Sequence, residues 1–165
     1  MWSEIDPHAR RGLTLALDRL EQARVANNEI DWFVAAAEAI FWLMVADELN
    51  WGKPGYEQDR DVDDPRGCAL HGFRYLSTLF KHYPISAVID FVSEAAWPWT
   101  WPMVWQEAQW KALKDLPEFD PKYRDRASTR RQAEAYDSLL AGRLVKVTIP
   151  GAASFFDCRP SAYSP

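Results

Sequence analysis

The sequence predicts a mostly α-helical protein, a bundle of four to five helices with a small tryptophan-rich extended segment. Three observations support this fold class. Apolar residues recur at spacings of three and four along several stretches, as they do on one face of a helix. The pairs Asp6-Pro7 and Asp64-Pro65 each combine a capping carboxylate with a proline suited to the first helical position. A chain of 165 residues, 48% hydrophobic and 26% charged, fits one domain, expected over 1–158, with 159–165 as a flexible tail.

The first two helices are the most clearly marked. The first begins after Asp6 and is expected to end near Asn27-Asn28. The second is expected from about Glu29 to Leu49, and it is apolar around most of its circumference, interrupted by Glu38 and Asp47. A helix of this type is typical of a buried element, so we expect it to be the central helix of the bundle.

Residues 50–65 are predicted to form a loop that includes the acidic run 59–64. This run lacks the ligand spacing of a calcium-binding loop, which favours a solvated loop over a cation site. The third helix begins with Asp64 and Pro65 and is expected to end at His82-Tyr83-Pro84, because the residue before proline disfavours the helical conformation.

Tryptophans alternate at Trp97, Trp99 and Trp101, with prolines between and after them. In an extended segment this alternation directs three rings to one side, and the prolines favour an edge strand or a polyproline-like stretch. We interpret the rings as an aromatic lid over the helical core. The alternatives are a stacking platform for bases and an exposed surface that binds a protein partner.

The remaining elements are less regular. Residues 85–92 fit either a short helix or a buried strand, and 116–127 are predicted to be a loop. A helix is expected over 130–141, capped by Ser128-Thr129 and ended by Gly142. The last element shows an apolar–polar alternation typical of a short strand, although Thr148 is also a suitable cap for a helical turn. Its apolar positions are Val145, Val147 and Ile149.

The composition narrows the classes of function. A net charge of −5 gives no global attraction for nucleic acid, so any binding would depend on a local basic patch. The candidate patch, interpreted as a solvated loop and helix start, comprises Lys122, Arg124, Arg126, Arg130 and Arg131. No metal or cofactor is expected, and Cys68 and Cys158 are interpreted as free thiols. Without an apolar run of ~20 residues or a signal-peptide pattern, no membrane association and a cytoplasmic location are expected.

The third helix contains the most informative segment, which includes Gly72-Phe73-Arg74-Tyr75-Leu76 and, eight residues after Arg74, His82. This segment resembles a motif-bearing helix of the HEPN superfamily, in which Arg and His lie a few residues apart in a small helical bundle. Flanking matches extend the resemblance to roughly residues 30–156. They are Glu38-Ala39, Trp42, Tyr136 and Leu140-Ala141-Gly142-Arg143.

The resemblance implies a two-fold homodimer with the third helix at or near its interface, and a metal-independent endoribonuclease. In that family Arg binds the scissile phosphate and His is a general acid or base, which here implies Arg74 and His82. A guanidinium pairs with phosphate oxygens, and an imidazole titrates near neutral pH.

The sequence departs from the motif at Ser77-Thr78, where the family has Arg-Asn. Lys81 is a candidate replacement for the lost charge, and Arg66 with His71 forms a second Arg–His pair on the same helix. We therefore predict a nucleic-acid-associated or regulatory module with a degenerate ribonuclease motif. The alternatives are an active endoribonuclease using these residues, with RNA as its substrate, and a structural or protein-interaction domain that uses the tryptophan surface.

Overall fold

The computed structural model describes residues 5–93, 106–119, 121–124 and 126–157, and these are mostly helical with one small sheet, as predicted. The α-helices are α1 (Pro7–Val25), α2 (Glu29–Asn50), α3 (Tyr56–Gln58), α4 (Pro65–Leu79), α5 (Pro121–Arg124), α6 (Ala127–Leu139) and α7 (Val145–Ala153). A π-helix covers Asp59–Asp63, and 3-10 turns cover Ile85–Ala87, Leu113–Asp115 and Ser154–Phe156. The strands β1 (Ile89–Ser93) and β2 (Gln106–Trp110) pair antiparallel, with Phe91 opposite Ala108.

The predicted starts of the three long helices are confirmed by their caps. A carboxylate oxygen of Asp6 accepts hydrogen bonds from the backbone at the start of α1, at 2.9 and 3.1 Å. Asn28 caps α2 and Asp64 caps α4 in the same manner, at 3.2 and 2.8 Å. Each cap satisfies backbone N–H groups that have no partner within the helix.

The core lies where α1, α2, α4, α6 and α7 meet. The short connection between α1 and α2 makes them an antiparallel pair, with Leu13 and Leu43 among the fully buried side chains. On the other side of the core, α4 packs on α6 at Gly72. A Cβ atom there would lie 2.8 Å from Leu140 Cδ1 and 3.1 Å from Tyr136 Cα, so glycine permits this close approach.

The expectation that α2 is the most buried helix is only half correct. Its inner face is buried, but its outer face carries large apolar side chains that are exposed. The described residues therefore bury one side of α2, although its sequence is apolar around most of its circumference. The exposed residues are Ile30, Val34, Phe41 and Leu49.

Two predictions of irregular or extended structure are wrong. Residues 59–63 form the π-helix instead of a solvated loop, because Arg60 turns inward and is buried.

The segment from Val145 is helix α7 and not a strand. Val145 and Ile149, four residues apart, are fully buried, while Val147 between them is exposed, as on a helix with one inward face. Thr148 lies inside this helix, where its hydroxyl accepts a 2.7 Å hydrogen bond from Trp110 Nε1.

The prediction of a loop over 116–127 is wrong at Pro121–Arg124, which form α5, and the remaining boundaries differ by smaller amounts. The 85–92 segment is a 3-10 turn followed by β1, so of the two alternatives the strand is confirmed for its second half. Helix α6 begins at Ala127, with Arg126 at the N-cap position and no side-chain cap, so the predicted Ser128-Thr129 cap is wrong.

Some predictions fall outside the described residues. These concern the tryptophan alternation at Trp97, Trp99 and Trp101, and the tail over 159–165. Within the described ranges, none of the helices combines the length and the apolar character needed to cross a bilayer.

Candidate functional site

A cluster of ionised side chains lies between α2, the π-helix and α4, and its centre is Asp47. This carboxylate is on the inner face of α2 and is 1% exposed. Its Oδ1 accepts hydrogen bonds from Tyr56 Oη at 2.7 Å and from Arg60 Nη1 at 3.1 Å. Its Oδ2 accepts from Arg74 Nη2. One hydroxyl group and two guanidinium groups therefore donate to this carboxylate, and they compensate a charge that would be costly to bury alone.

Arg60 connects Asp47 to a second carboxylate. Its side chain is 2% exposed, and its Nε donates to Asp61 Oδ1 at 2.6 Å. The guanidinium also lies over the ring of Trp51, 4.3 Å from the ring centre, in a cation–π contact. The wider turn of the π-helix carries both Arg60 and Asp61 toward the rest of the cluster, and such helices are rare and frequently mark functional sites.

Asp61 joins three elements because it also binds α4 and α6. Its Oδ1 lies 2.9 Å from His71 Nε2, and its Oδ2 lies 3.0 Å from Arg131 Nη2. Burial raises the pKa of Asp61, but the hydrogen bonds from Arg60 and His71 outweigh this and bring the pKa well below its usual range. Asp61 is therefore ionised at neutral pH, and it accepts hydrogen bonds from Arg60 and His71 and forms an ion pair with Arg131.

His71 is held in one tautomer by this contact. Burial lowers the pKa of His71, against the opposing effect of Asp61, so the ring is neutral at pH 7. With Nε2 donating to Asp61, the lone pair is on Nδ1. Among the described residues Nδ1 has no hydrogen-bond partner, and none of their buried polar side-chain atoms lacks one, so Nδ1 has access to solvent. The pair has the geometry of an imidazole general base oriented by a carboxylate.

The two predicted catalytic arginines are each occupied by carboxylates of the chain itself. Arg74 donates to the buried Asp47 and to the neighbouring residue of α2, the exposed Glu48. Arg66 pairs with Asp64, with Nη2 to Oδ2 at 2.5 Å, and its Nη1 donates to the Ser154 carbonyl at 3.2 Å. Among the described residues, neither guanidinium forms a hydrogen bond or an ion pair with a histidine.

The structure does not bring the other predicted motif residues together. Helix α4 ends at Leu79, so Lys81 and His82 lie in the following turn, where both are exposed. Of the two substituted motif positions, Thr78 donates its hydroxyl to the Arg74 carbonyl at 3.0 Å, and Ser77 is half-buried. His71 and His82 therefore have different surroundings, and only His71 belongs to the ionic cluster.

Sequence reasoning missed the residues that build the cluster around His71 and Arg74. Two signals were available in the sequence. One is Asp47, in a helix that is apolar around most of its circumference, and the other is Arg60, inside the acidic run 59–64 that follows Tyr56. Buried charges are paired, so such an aspartate implies a cation elsewhere in the chain. The missed residues are Asp47, Tyr56, Arg60, Asp61 and Arg131.

The basic patch predicted from the sequence is on the surface at α5 and the start of α6. Its five cations are exposed, and Arg131 also pairs with Asp61. Cations at the beginning of a helix face the positive end of the helix dipole, a position that favours anions, so this arrangement opposes helix stability. The cations are Lys122, Arg124, Arg126, Arg130 and Arg131.

Metal chemistry was not expected from the sequence. In the parts of the chain that the structure describes, no group of three or more His, Cys, Asp or Glu side chains is arranged to hold a metal ion. Cys68, as predicted, is a free thiol, and burial raises its pKa above the usual value. Cys158 lies outside the described residues.

The chain was compared with models of known protein families, with curated proteins and with solved structures. None of the three comparisons gives a significant match.

Proposed function

We propose that this chain is a HEPN-like nucleic-acid-associated module that binds RNA without cleaving it. The observation that carries the proposal is the double pairing of Arg74, the arginine that matches the family motif. A ribonuclease of this type needs a guanidinium available to the scissile phosphate, and here that group is shared between Asp47 and Glu48.

The energies involved favour the internal pairing over phosphate binding. To reach a phosphate, Arg74 would have to leave Asp47, which is buried and would lose one of its three donors. Breaking a buried ion pair costs about 3–5 kcal/mol. A hydrogen bond to a charged group returns about 1.5–3 kcal/mol. The loss exceeds the gain, so a degenerate site is the better explanation of this arrangement.

The basic patch supports the association with nucleic acid. Several exposed cations within ten residues create a local positive field on a chain whose net charge is −5. Arg126 and Arg130 lie at the start of α6, the end of a helix that favours anions over cations. RNA phosphates are the corresponding anionic partner.

RNA binding and cleavage can be measured together with labelled single-stranded RNA and transfer RNA in EDTA. We expect binding that weakens with salt, and intact RNA. The Arg126→Glu/Arg130→Glu variant should bind more weakly and lower the salt slope by about two. A matched control is Arg10→Glu/Arg11→Glu, which makes the same charge change at exposed positions of α1. Equal loss in both double variants, or no binding by the wild type, would contradict the proposal.

An active metal-independent endoribonuclease is the second candidate, and the His71–Asp61 pair favours it. Nδ1 of His71 would accept the proton of a ribose 2′-hydroxyl as its oxygen attacks the adjacent phosphorus. The 5′-oxygen would leave and take a proton from water. The products would be a 2′,3′-cyclic phosphate and a free 5′-hydroxyl.

The same assay distinguishes the two candidates. Cleavage by the wild type that is lost in His71→Ala and kept in His82→Ala would establish the second candidate and overturn the first. Loss only in His82→Ala would instead assign the chemistry to the turn after α4. RNA that all three proteins bind and leave intact supports the first candidate.

A further inference from the structure

A cavity lies between the end of α1, the start of α2 and the two-stranded sheet. Its volume is about 140 Å³, and its walls include Arg24 of α1, Glu29 and Trp32 of α2, Phe91 of β1 and Glu107 of β2. Among the described residues, the walls of this cavity and the ionic cluster around Asp47 have no member in common. The cavity is therefore a second place in the fold where polar and aromatic side chains converge.

Glu107 brings a buried carboxylate to the cavity. The residue is 4% exposed, on a strand whose neighbouring position, Ala108, is also buried. Its Oε1 accepts a hydrogen bond from Lys146 Nζ at 2.6 Å and a longer one from Arg24 Nη1 at 3.4 Å. These two cations compensate the cost of burying a carboxylate, and both of them act on the same oxygen atom.

The other oxygen of Glu107, Oε2, has no hydrogen-bond partner among the described residues. None of their buried polar side-chain atoms lacks a partner, so Oε2 is not sealed off and has access to solvent. The cavity that Glu107 lines provides this access. A carboxylate has about four acceptor sites, so the cavity contains unused acceptor capacity on a side chain that is otherwise fixed.

Two aromatic rings form the apolar part of the cavity. Trp32 is buried and Phe91 is half-buried, and their ring centres are 6.0 Å apart in an edge-to-face arrangement. Aromatic rings attract cations, tryptophan most strongly, and they also cover the carbon atoms of a ligand. A carboxylate beside aromatic walls is therefore suited to an organic cation, whose N–H groups require an acceptor and whose carbon atoms require apolar contacts.

The charges at the cavity also favour a cation, although Arg24 is one of the lining residues. Arg24 donates through Nε and Nη2 to the two oxygens of Glu21, at 2.7 and 2.8 Å. Glu29 adds a further carboxylate to the wall. Glu21, Glu29 and Glu107 together outnumber Arg24 and Lys146 by one negative charge.

We propose that this cavity binds a small organic cation that carries N–H donors, either a primary ammonium or a guanidinium group on a short carbon chain. An N–H group of the ligand donates to Glu107 Oε2, and its carbon atoms lie against Trp32 and Phe91. A cavity of about 150 Å³ holds one benzene molecule, so a ligand of about six non-hydrogen atoms fits here. Because so few atoms make contact, we expect a dissociation constant of about 1 mM. The inference does not depend on the proposed RNA binding.

Nuclear magnetic resonance titration with n-butylammonium and ethylguanidinium tests the inference. The indole N–H signal of Trp32, assigned by comparison with Trp32→Phe, should shift and saturate with either cation. Two probes of similar size serve as controls: n-butanol lacks the positive charge, and tetramethylammonium lacks N–H donors. Each should bind at least about tenfold more weakly, since a hydrogen bond to a charged group contributes about that factor. Equal binding of either control probe, or no shift with either cation at about 50 mM, would overturn the inference.

Glu107→Gln tests whether this carboxylate recognises the cation. The variant should weaken binding of n-butylammonium about tenfold. Glu21→Gln is the matched control, because it makes the same change at another carboxylate that binds Arg24, and Glu21 is not among the described residues that line the cavity. The control should keep the affinity of the wild type. Equal loss in both variants, or no loss in Glu107→Gln, would refute the role of Glu107.

Two further measurements complete the test. Should Glu107→Gln fail to fold, Ala108→Val adds two methyl groups to the wall of the cavity at a strand position that suits valine, and it should abolish binding while leaving Glu107 in place. N-acetyl-lysine amide carries the same ammonium group on a peptide-like body, and it should bind no more tightly than n-butylammonium. Tighter binding would assign the site to a lysine side chain of a protein partner and overturn the assignment to a free amine.

Discussion

Replacing Asp47 with alanine is the most informative perturbation of the ionic cluster. The substitution removes the acceptor of Tyr56 and one of the two carboxylates that compensate the buried Arg60. Among the ion pairs of the described residues, Arg60, at 2% exposure, would then keep the one with Asp61. Removing one partner of a buried ion pair costs about 3–5 kcal/mol. We therefore expect the free energy of unfolding to fall by about 4 kcal/mol, a large share of a typical total of about 5–15 kcal/mol.

Glu48→Ala is the control for this effect. It removes the same charge from the neighbouring residue, and Glu48 also pairs with Arg74. Its side chain is 61% exposed, however, and exposed pairs contribute about 0–1 kcal/mol. The two variants make the same change in charge, and they differ in the burial of the carboxylate and in the number of partners it loses.

Urea unfolding followed by circular dichroism at pH 7 measures both variants. A midpoint that falls sharply for Asp47→Ala and hardly moves for Glu48→Ala, with unchanged slopes, is the expected result. Should Asp47→Ala fail to fold, Asp47→Asn keeps an acceptor for Tyr56 while removing the charge, and it should lose an intermediate amount. Equal stability of the Asp47 and Glu48 variants would refute the claim that the buried cluster stabilises the fold.

Three further predictions concern other parts of the molecule. Burial lowers the pKa of His71 in the folded chain, so below pH 6.5, the ordinary pKa of histidine, the unfolded chain binds more protons than the folded chain. The free energy of unfolding should therefore decline as the pH falls below about 6.5. His71→Gln should remove this decline in urea titrations at pH 5–8. Gly67→Ala should destabilise the fold by about 1–3 kcal/mol, because the added Cβ would lie 2.6 Å from the Arg60 Cα of the π-helix. Gly151→Ala, whose Cβ would meet nothing within 4 Å, should stabilise the fold by about 0.5–1 kcal/mol. Thermal unfolding of both variants shows whether the two changes in stability have opposite signs. Trp110→Phe removes a buried donor to Thr148 and leaves a void, and it should cost about 1–3 kcal/mol in the same thermal assay, a result that a near-zero change would contradict.

The parts of the fold that could be predicted are those that depend on local chemistry. The starts of α1, α2 and α4 follow from Asp6, Asn28 and Asp64, because a capping side chain acts within three residues of itself. Helix α7 was misjudged because its valines and isoleucine favour strands. Burial against α1, α2 and α4 decided its structure, and the buried pair Val145 and Ile149 has helical spacing.

The candidate site was harder to predict because its contacts join distant residues. Asp47 meets Tyr56, Arg60 and Arg74, which are 9, 13 and 27 residues away. No spacing rule connects residues on a helix, a short turn, a π-helix and a second helix. The motif resemblance directed attention to Arg74 but gave no indication that a carboxylate on α2 would occupy it.

The inner face of α2 accounts for the proposed loss of ribonuclease activity through one physical conflict. A helix that is apolar on nearly all sides needs neighbours all round, and α1, α4 and α7 cover only its inner side. On that side Asp47 is tolerated because Arg60 and Arg74 compensate its charge, and this use of Arg74 removes it from phosphate chemistry. On its outer side α2 carries Phe41, which is 58% exposed and lies against the ring of Trp42. The basic start of α6, on a different helix, remains exposed, and it is the surface on which the proposed RNA binding depends.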